Sequence, residues 1–145
     1  MANPGSGLKE DGSILLLFGD GAGGFTPQKL TAAGLGGGLL APQGIVAADF
    51  DGDGRIDLAL ATRPVTQEGR LYILQNEGKG RFSLKKGQTL LLGLRSKVSN
   101  LSFRPLIATD LNGDGAPDLA VTNQELNAVS IFFNGSARTM KSKMP

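Results

Sequence analysis

The fold is decided by one stretch of sequence that occurs twice. The first copy is Ile45-Val-Ala-Ala-Asp-Phe-Asp-Gly-Asp-Gly-Arg-Ile-Asp-Leu-Ala-Leu-Ala-Thr62, and 61 residues later the second is Leu106-Ile-Ala-Thr-Asp-Leu-Asn-Gly-Asp-Gly-Ala-Pro-Asp-Leu-Ala-Val-Thr-Asn123. Shorter matches flank them, Gly19–Phe25 with Asn76–Phe82 and Leu71–Glu77 with Val129–Gly135. Self-similarity at a fixed spacing is typical of repeat proteins. We therefore predict a repeat protein whose sequence starts and stops in mid-unit.

Each unit is predicted to contain four short β-strands. Ile45–Asp49 and Asp57–Thr62 are apolar runs rich in alanine, which suits strands that are packed on both faces. Arg70–Gln75 and Phe82–Lys86 flank a tight turn at Asn76–Gly80, the pattern of a β-hairpin. No segment has a convincing helical period. The chain is therefore predicted to be all-β, with two strands in the first unit, four in the second and three in the last.

Composition excludes several classes of protein. The 145 residues include 22 glycines and 7 prolines, so turns are dense, and 40% hydrophobic residues supply enough apolar mass for a core. There is no cysteine or histidine, which excludes disulfides, thiolate nucleophiles and histidine-based triads. No apolar stretch approaches a membrane span, and Ile14–Phe18 is too short for a signal-peptide core. The basic tail has no interleaved aromatic residues, so no nucleic-acid partner is expected.

The acidic residues are concentrated in two loops. Seven of the thirteen lie within residues 49–57 and 110–118. Calcium binds about six to eight oxygens at about 2.3–2.6 Å, and alternating side chains of a tightly curled loop can supply them. Gly52 and Gly54 permit the positive φ values that such curling needs. Two Ca²⁺ sites are therefore predicted, with these ligands: Asp49, Asp51, Asp53, the Arg55 carbonyl and Asp57 in the first, and Asp110, Asn112, Asp114, the Ala116 carbonyl and Asp118 in the second.

Two other interpretations of these loops fit the residues less well. An EF-hand needs a glutamate at position 12 and flanking helices, whereas this position is Leu60 in one loop and Val121 in the other, both in predicted strands. That excludes an EF-hand and leaves a strand–loop–strand site. An Asp/Gly turn that binds nothing is the alternative, but it leaves four carboxylates within nine residues uncompensated. Magnesium is disfavoured because it prefers few protein ligands.

Three weaker motifs receive structural interpretations. Gly19-Asp-Gly-Ala-Gly-Gly24 matches G-x-G-x-x-G, but Phe25-Thr-Pro27 follows where a dinucleotide site needs a helix, so a hairpin turn is predicted. Asn100-Leu-Ser102 and Asn134-Gly-Ser136 fit the glycosylation sequon, which often occurs by chance. The six acidic residues outside the two loops show no pairing at a recognisable catalytic spacing, so no enzyme activity is expected.

The loop pattern Asp-x-Asp/Asn-Gly-Asp-Gly-x-x-Asp-Leu, followed by a strand and a glycine-rich turn ending in Phe, resembles the FG-GAP/VCBS repeats of integrin-α-type β-propellers. The resemblance covers nearly all of residues 14–135, between an N-terminal extension (1–13) and a basic C-terminal tail (136–145). It implies four-stranded antiparallel blades arranged radially, with calcium held by the ten residues named above. It also implies extracellular roles in adhesion, in carbohydrate binding, or as auxiliary modules of secreted enzymes.

The predicted strands supply about two to two and a half blades, and a propeller needs about four to eight to close. The chain is therefore expected to associate, either as a homo-oligomer (three copies would supply roughly six blades) or with the remainder of a longer propeller. The leading function is a calcium-stabilised, extracellular interaction or adhesion module. The alternatives are a carbohydrate-binding lectin with sugars near the blade junctions, and a non-catalytic fragment of a larger secreted enzyme.

Overall fold

A computed structural model describes residues 2–3, 12–31, 42–62, 68–95, 105–123, 128–135 and 139–143. Within these ranges the chain is all-β, as predicted, and its eleven strands form three antiparallel sheets. The first sheet has the order β1 (Ala2–Asn3), β2 (Ser13–Gly19), β3 (Phe25–Thr31). The second has the order β4 (Pro42–Ala48), β5 (Asp57–Thr62), β6 (Glu68–Gly78), β7 (Arg81–Arg95). The third has the order β8 (Leu106–Thr109), β9 (Asp118–Asn123), β10 (Ala128–Gly135), β11 (Thr139–Lys143).

Two of the eleven described strands are not predicted from the sequence. The predicted total of nine is wrong because β1 and β11 lie in segments that were assigned to the N-terminal extension and the basic tail. β11 pairs with β10 from Ile131↔Lys143 to Gly135↔Thr139, which completes a four-stranded third sheet. Lysines are common on edge strands because their charge opposes pairing with other chains. The same lysines made Thr139–Lys143 look like a solvated terminus.

The second sheet is packed on both faces, and β5 shows this best. All six residues of β5 are buried. Leu58 and Leu60 belong to a core cluster with Ile14 of the first sheet, whereas Ala59 and Ala61 belong to a cluster with residues of the third sheet. Successive side chains of a strand point to opposite faces, so one strand contributes to both cores. The three sheets therefore stack face to face, and the prediction from the alanine-rich strands is confirmed.

The β2–β3 connection is a hairpin turn, as predicted for the glycine-rich motif. β2 and β3 pair without interruption from Ser13↔Thr31 to Gly19↔Phe25. In the turn, Asp20 Oδ1 accepts hydrogen bonds from the backbone N–H groups of Ala22 (2.8 Å) and Gly24 (2.9 Å). These bonds stabilise the carboxylate and lower the pKa of Asp20. The motif therefore closes a turn and does not begin a helix.

Candidate metal centre

The two acidic loops occupy equivalent places in the fold. Loop 1, residues 49–57, joins β4 to β5, and loop 2, residues 110–118, joins β8 to β9. In both cases the last aspartate is the first residue of the following strand. The repeat in sequence is therefore also a repeat in structure.

The first aspartate of each loop organises the backbone around itself. Asp49 Oδ1 accepts hydrogen bonds from the N–H groups of Gly52 (2.8 Å) and Asp53 (3.2 Å), and Asp49 Oδ2 accepts one from Gly54 (2.8 Å). In loop 2, Asp110 accepts the corresponding bonds at 2.7, 3.2 and 2.8 Å from the N–H groups of Gly113, Asp114 and Gly115. Both loops thus curl around one carboxylate in the same way.

The curl of loop 2 changes the pKa of Asp110. The hydrogen bond from Gly115 is the largest of several backbone contributions that lower the pKa of Asp110. The predicted glycine conformations are also confirmed, since φ is 76° at Gly52 and 83° at Gly54, with 79° and 85° at Gly113 and Gly115. Residues with a Cβ rarely adopt this region, so the curl depends on glycine.

The last aspartate of each loop is fully buried, with no exposed surface at Asp57 or Asp118. Asp57 Oδ2 accepts a hydrogen bond from Phe50 N (3.2 Å) and Oδ1 accepts one from Asn76 N on β6 (2.8 Å). Asp118 repeats the arrangement, with Leu111 N at 2.9 Å and Asn134 N on β10 at 2.8 Å. Each of these carboxylates therefore ties its loop to the third strand of its own sheet, a role that the sequence did not reveal.

Burial makes Asp57 electrostatically unusual. Loss of hydration raises its pKa, and the negative charges of Asp51 and Asp53 raise it further, against the opposing effect of the two backbone hydrogen bonds. Asp49, Asp51 and Asp57 bring one carboxylate oxygen each to within 4.8 Å of one another. In the described ranges no other three acidic side chains meet so closely. A divalent cation is the simplest source of compensating charge for such a triad.

Other predicted ligands make contacts within the loops. Asp53 forms an ion pair with the Arg55 guanidinium, and Asp53 Oδ1 accepts a bond from Arg55 N at 2.8 Å. In loop 2, Asp114 Oδ2 accepts a bond from Asn112 Nδ2 (3.0 Å), and Asp114 Oδ1 accepts one from Ala116 N (2.9 Å). The structure thus brings three of the loop 1 ligands together and places Asp53 against Arg55.

Sequence reasoning missed Gln75, which lies on β6. Its Nε2 donates to Asp51 Oδ2 at 2.7 Å, while its buried Oε1 has no hydrogen-bond partner. A buried acceptor without a partner is unusual in a folded protein. An amide oxygen without a partner, on a side chain that contacts one of the three converging carboxylates, fits a hard cation such as Ca²⁺, which binds oxygen almost exclusively. In the sequence Gln75 is only a polar residue that follows an apolar run, and nothing there indicates that it lies beside Asp51.

The sequon at Asn134 lies in a buried part of the site. Asn134 is 6% exposed, and its Nδ2 donates to the carbonyl of Phe50 at 2.9 Å. This bond joins the third sheet to loop 1 of the second. An amide held in this way is inaccessible to a modifying enzyme in the folded chain. The other sequon, at Asn100, lies outside the described residues.

A cleft of about 440 Å³ opens beside loop 1, between the first and second sheets. Its lining combines two phenylalanine rings, two cationic side chains and two amides: Phe18, Phe82, Arg55, Lys79, Gln28 and Asn76. Gln28 Nε2 donates to the carbonyl of Gly80 at 2.9 Å, which links the two sheets at this junction. Gly80 has φ of 74°, a region that residues with a Cβ rarely adopt, so this turn favours glycine.

Comparison with known proteins gives three findings. The FG-GAP-like repeat family matches residues 49–121, a range that contains both acidic loops. Phosphatidylinositol-glycan-specific phospholipase D of Bos taurus is 27% identical over 112 residues, which cover 69% of this chain and 13% of that protein. No solved structure matches the chain at a significant level. Among the described residues, no helix has the length and apolar character to cross a membrane.

Proposed function

The chain belongs to the FG-GAP-like repeat family, and on that premise we propose that it is a calcium-binding segment of propeller blades that acts as an extracellular interaction or adhesion module. The observation that carries this proposal is the recurrence of the same curled loop at two equivalent strand junctions. One such loop could be a local turn, whereas two with matched hydrogen bonds and matched buried aspartates favour a shared ligand.

Each loop offers five oxygen donors to a cation. These are Asp49, Asp51, Asp53, the Arg55 carbonyl and Asp57 in loop 1, and Asp110, Asn112, Asp114, the Ala116 carbonyl and Asp118 in loop 2. When bound, Ca²⁺ supplies positive charge that offsets the repulsion between converging carboxylates. Asp57 would connect the ion of loop 1 to β6, and Asp118 would connect the ion of loop 2 to β10. The proposed role of the metal is therefore structural, and metal binding stabilises the fold.

Exposed apolar side chains on the outward face of the third sheet indicate that a further partner binds there. Ile107, Leu111 and Val129 are exposed there, at 57%, 47% and 54%. In the repeat alignment they correspond to Val46, Phe50 and Leu71 of the second sheet. Those three pack in the core between the second and third sheets. The exposed face is thus built like one that another sheet covers elsewhere in the chain.

The outward face of the first sheet likewise carries exposed apolar side chains whose counterparts in the second sheet are covered. Leu17 and Phe25 are exposed there and correspond in the alignment to Leu74 and Phe82. The latter two pack against the first sheet. A head-to-tail contact between the two outward faces would therefore reproduce an internal interface. We propose that these faces bind a second copy of this chain, or further repeats of a longer propeller; two copies supply six sheets, within the range of about four to eight blades in closed propellers.

Light scattering after size-exclusion chromatography tests the self-association. We expect a mass of at least two chains for the wild type, and a single chain for Ile107→Lys or Leu17→Lys, because a charge in an apolar interface opposes docking. Ala22→Lys is the matched control, since Ala22 lies in an exposed turn. A monodisperse, monomeric wild type at all accessible concentrations would reject the second copy and leave the two faces to further repeats.

We propose that the module itself is non-catalytic. The repeat is a non-catalytic fold, and the similarity to a phospholipase D spans only 13% of that protein. This similarity supports the alternative in which the chain is a non-catalytic part of a larger enzyme. We propose an extracellular location on the basis of the repeat family, and a calcium dissociation constant of about 10⁻⁴–10⁻³ M would fit that location.

A second candidate function is carbohydrate binding, which the junction cleft favours. Phe18 and Phe82 provide apolar surfaces for a sugar ring, while Arg55 and Lys79 provide positive charge. Such a lining fits an acidic sugar. A glycan array tests this function: we expect signals from carboxylated or sulfated glycans that disappear in Lys79→Glu. An array without signals, obtained with calcium-loaded protein, would reject the lectin function.

A further inference from the structure

Gln75 carries an inference about the two metal sites that the loop sequences alone do not support. The residue lies on the face of β6 that packs toward the third sheet, together with Leu71 and Ile73. The residue is 9% exposed, and one end of its amide contacts Asp51 while the other has no partner. Burying an amide oxygen without a partner costs stability. This arrangement is therefore incomplete for the chain on its own.

An amide can complete the arrangement when a cation is present. The NH₂ and the oxygen of a glutamine side chain are nearly equal in size, and a half-turn about the terminal bond exchanges them. Without a cation, the NH₂ group is the end that a carboxylate such as Asp51 attracts. With a cation beside Asp51, the NH₂ group is repelled and the oxygen is attracted. Hard divalent cations accept amide oxygens as well as carboxylates.

Loop 2 lacks this possibility. The residue that corresponds to Gln75 is Phe133, and the residue that corresponds to Asp51 is Asn112. The Asn112 amide is used within its own loop, where it donates to Asp114 Oδ2 at 3.0 Å. In the described part of the chain, Gln75 is the only strand residue outside the loops whose side chain donates to an acidic side chain of a loop, and the two sites differ at this position.

We propose that Gln75 is a sixth protein oxygen ligand of the loop 1 site, and that it makes this site tighter and more selective for Ca²⁺ than the loop 2 site. The proposal rests on the proposed calcium function. Mg²⁺ keeps several waters and requires near-octahedral geometry, whereas Ca²⁺ accepts up to about eight oxygens. An additional protein ligand therefore favours Ca²⁺ over Mg²⁺. The extra carboxylate of loop 1 acts in the same direction, so the contribution of Gln75 has to be measured separately.

Calorimetric titration of metal-stripped protein with CaCl₂, with and without MgCl₂, separates the two contributions. For the wild type we expect two binding events of unequal affinity. Gln75→Leu removes both polar ends of the amide, and Gln75→Met keeps the length of the side chain without an oxygen. Each should weaken the tighter event by about tenfold, leave the weaker event unchanged, and increase competition by Mg²⁺. Gln43→Leu, at the end of β4 remote from loop 1, is the matched control and should bind as the wild type does.

The possible failures are distinguishable. If the wild type takes up no calcium at either loop, the proposed function is wrong. If the wild type binds two ions and both Gln75 variants, folded by circular dichroism, bind them with wild-type affinities, only the role of Gln75 is wrong. Gln75→Glu keeps an oxygen at the position and adds charge, so it should retain or strengthen the tighter event. Loss of that event in Gln75→Glu would also contradict direct ligation.

Discussion

If the chain binds calcium as proposed, we expect EGTA to lower its melting temperature by about 10–20 °C. At a calcium concentration of about one hundred times Kd, each site contributes about 2.7 kcal/mol to the free energy of unfolding, so two sites contribute about 5 kcal/mol. Chelation also leaves the converging carboxylates of loop 1 without a compensating charge. The measurement is a thermal melt followed by circular dichroism in CaCl₂, in EGTA, and in EGTA followed by excess CaCl₂.

Two controls make this melt specific. Excess MgCl₂ should restore less of the lost stability than CaCl₂ does, because Mg²⁺ keeps several waters and coordinates fewer of the loop oxygens. Asp114→Ala should lose part of the calcium-dependent shift, since it removes one proposed ligand of loop 2 and leaves loop 1 intact. A melting temperature that is identical in CaCl₂ and EGTA would mean that the loops hold themselves together through their backbone hydrogen bonds alone.

The second large effect is expected at Asp57 and is independent of metal. In EGTA, Asp57→Ala should lower the free energy of unfolding by about 3–5 kcal/mol, because it leaves the buried N–H group of Phe50 and the half-buried N–H group of Asn76 without an acceptor. Denaturant unfolding measures this change. Asp118→Ala should behave alike, since its carboxylate accepts from Leu111 and Asn134 in the same geometry.

Asp53→Ala is the matched control for this prediction. Asp53 is an aspartate of the same loop, but its ion pair with Arg55 is exposed, and exposed pairs contribute about 1 kcal/mol or less. In EGTA its effect should therefore be small, whereas in CaCl₂ it should grow because a proposed ligand is lost. Equal destabilisation by Asp57→Ala and Asp53→Ala in EGTA would contradict the buried connection to β6.

The features that the sequence predicted well are those fixed by local chemistry. Gly52 and Gly54 were expected at positive φ because a loop of alternating aspartates cannot curl otherwise, and both adopt it. The alanine-rich β5 was expected to pack on both faces, and all of its residues are buried. Both expectations depend on residues that are close together in the chain.

The features that the sequence did not predict depend on which strands become neighbours. β11 contains lysines and gains its order from pairing with β10, which composition does not reveal. Gln75 reads as one polar residue at the end of a strand, and only the stacking of the second sheet on the third shows that it is buried beside Asp51. The backbone contacts of Asp57 and Asp118 likewise require β6 and β10 to be in place.

The central claim is that each acidic loop binds a calcium ion, and a crystal structure determined from crystals grown in millimolar CaCl₂ tests it most directly. We expect one strong peak in each loop, with Asp49, Asp51 and Asp57 around the first and Asp110 and Asp118 around the second, at metal–oxygen distances of about 2.3–2.6 Å. Loops that contain only water at that calcium concentration, while keeping the hydrogen bonds described for Asp49 and Asp110, would contradict it.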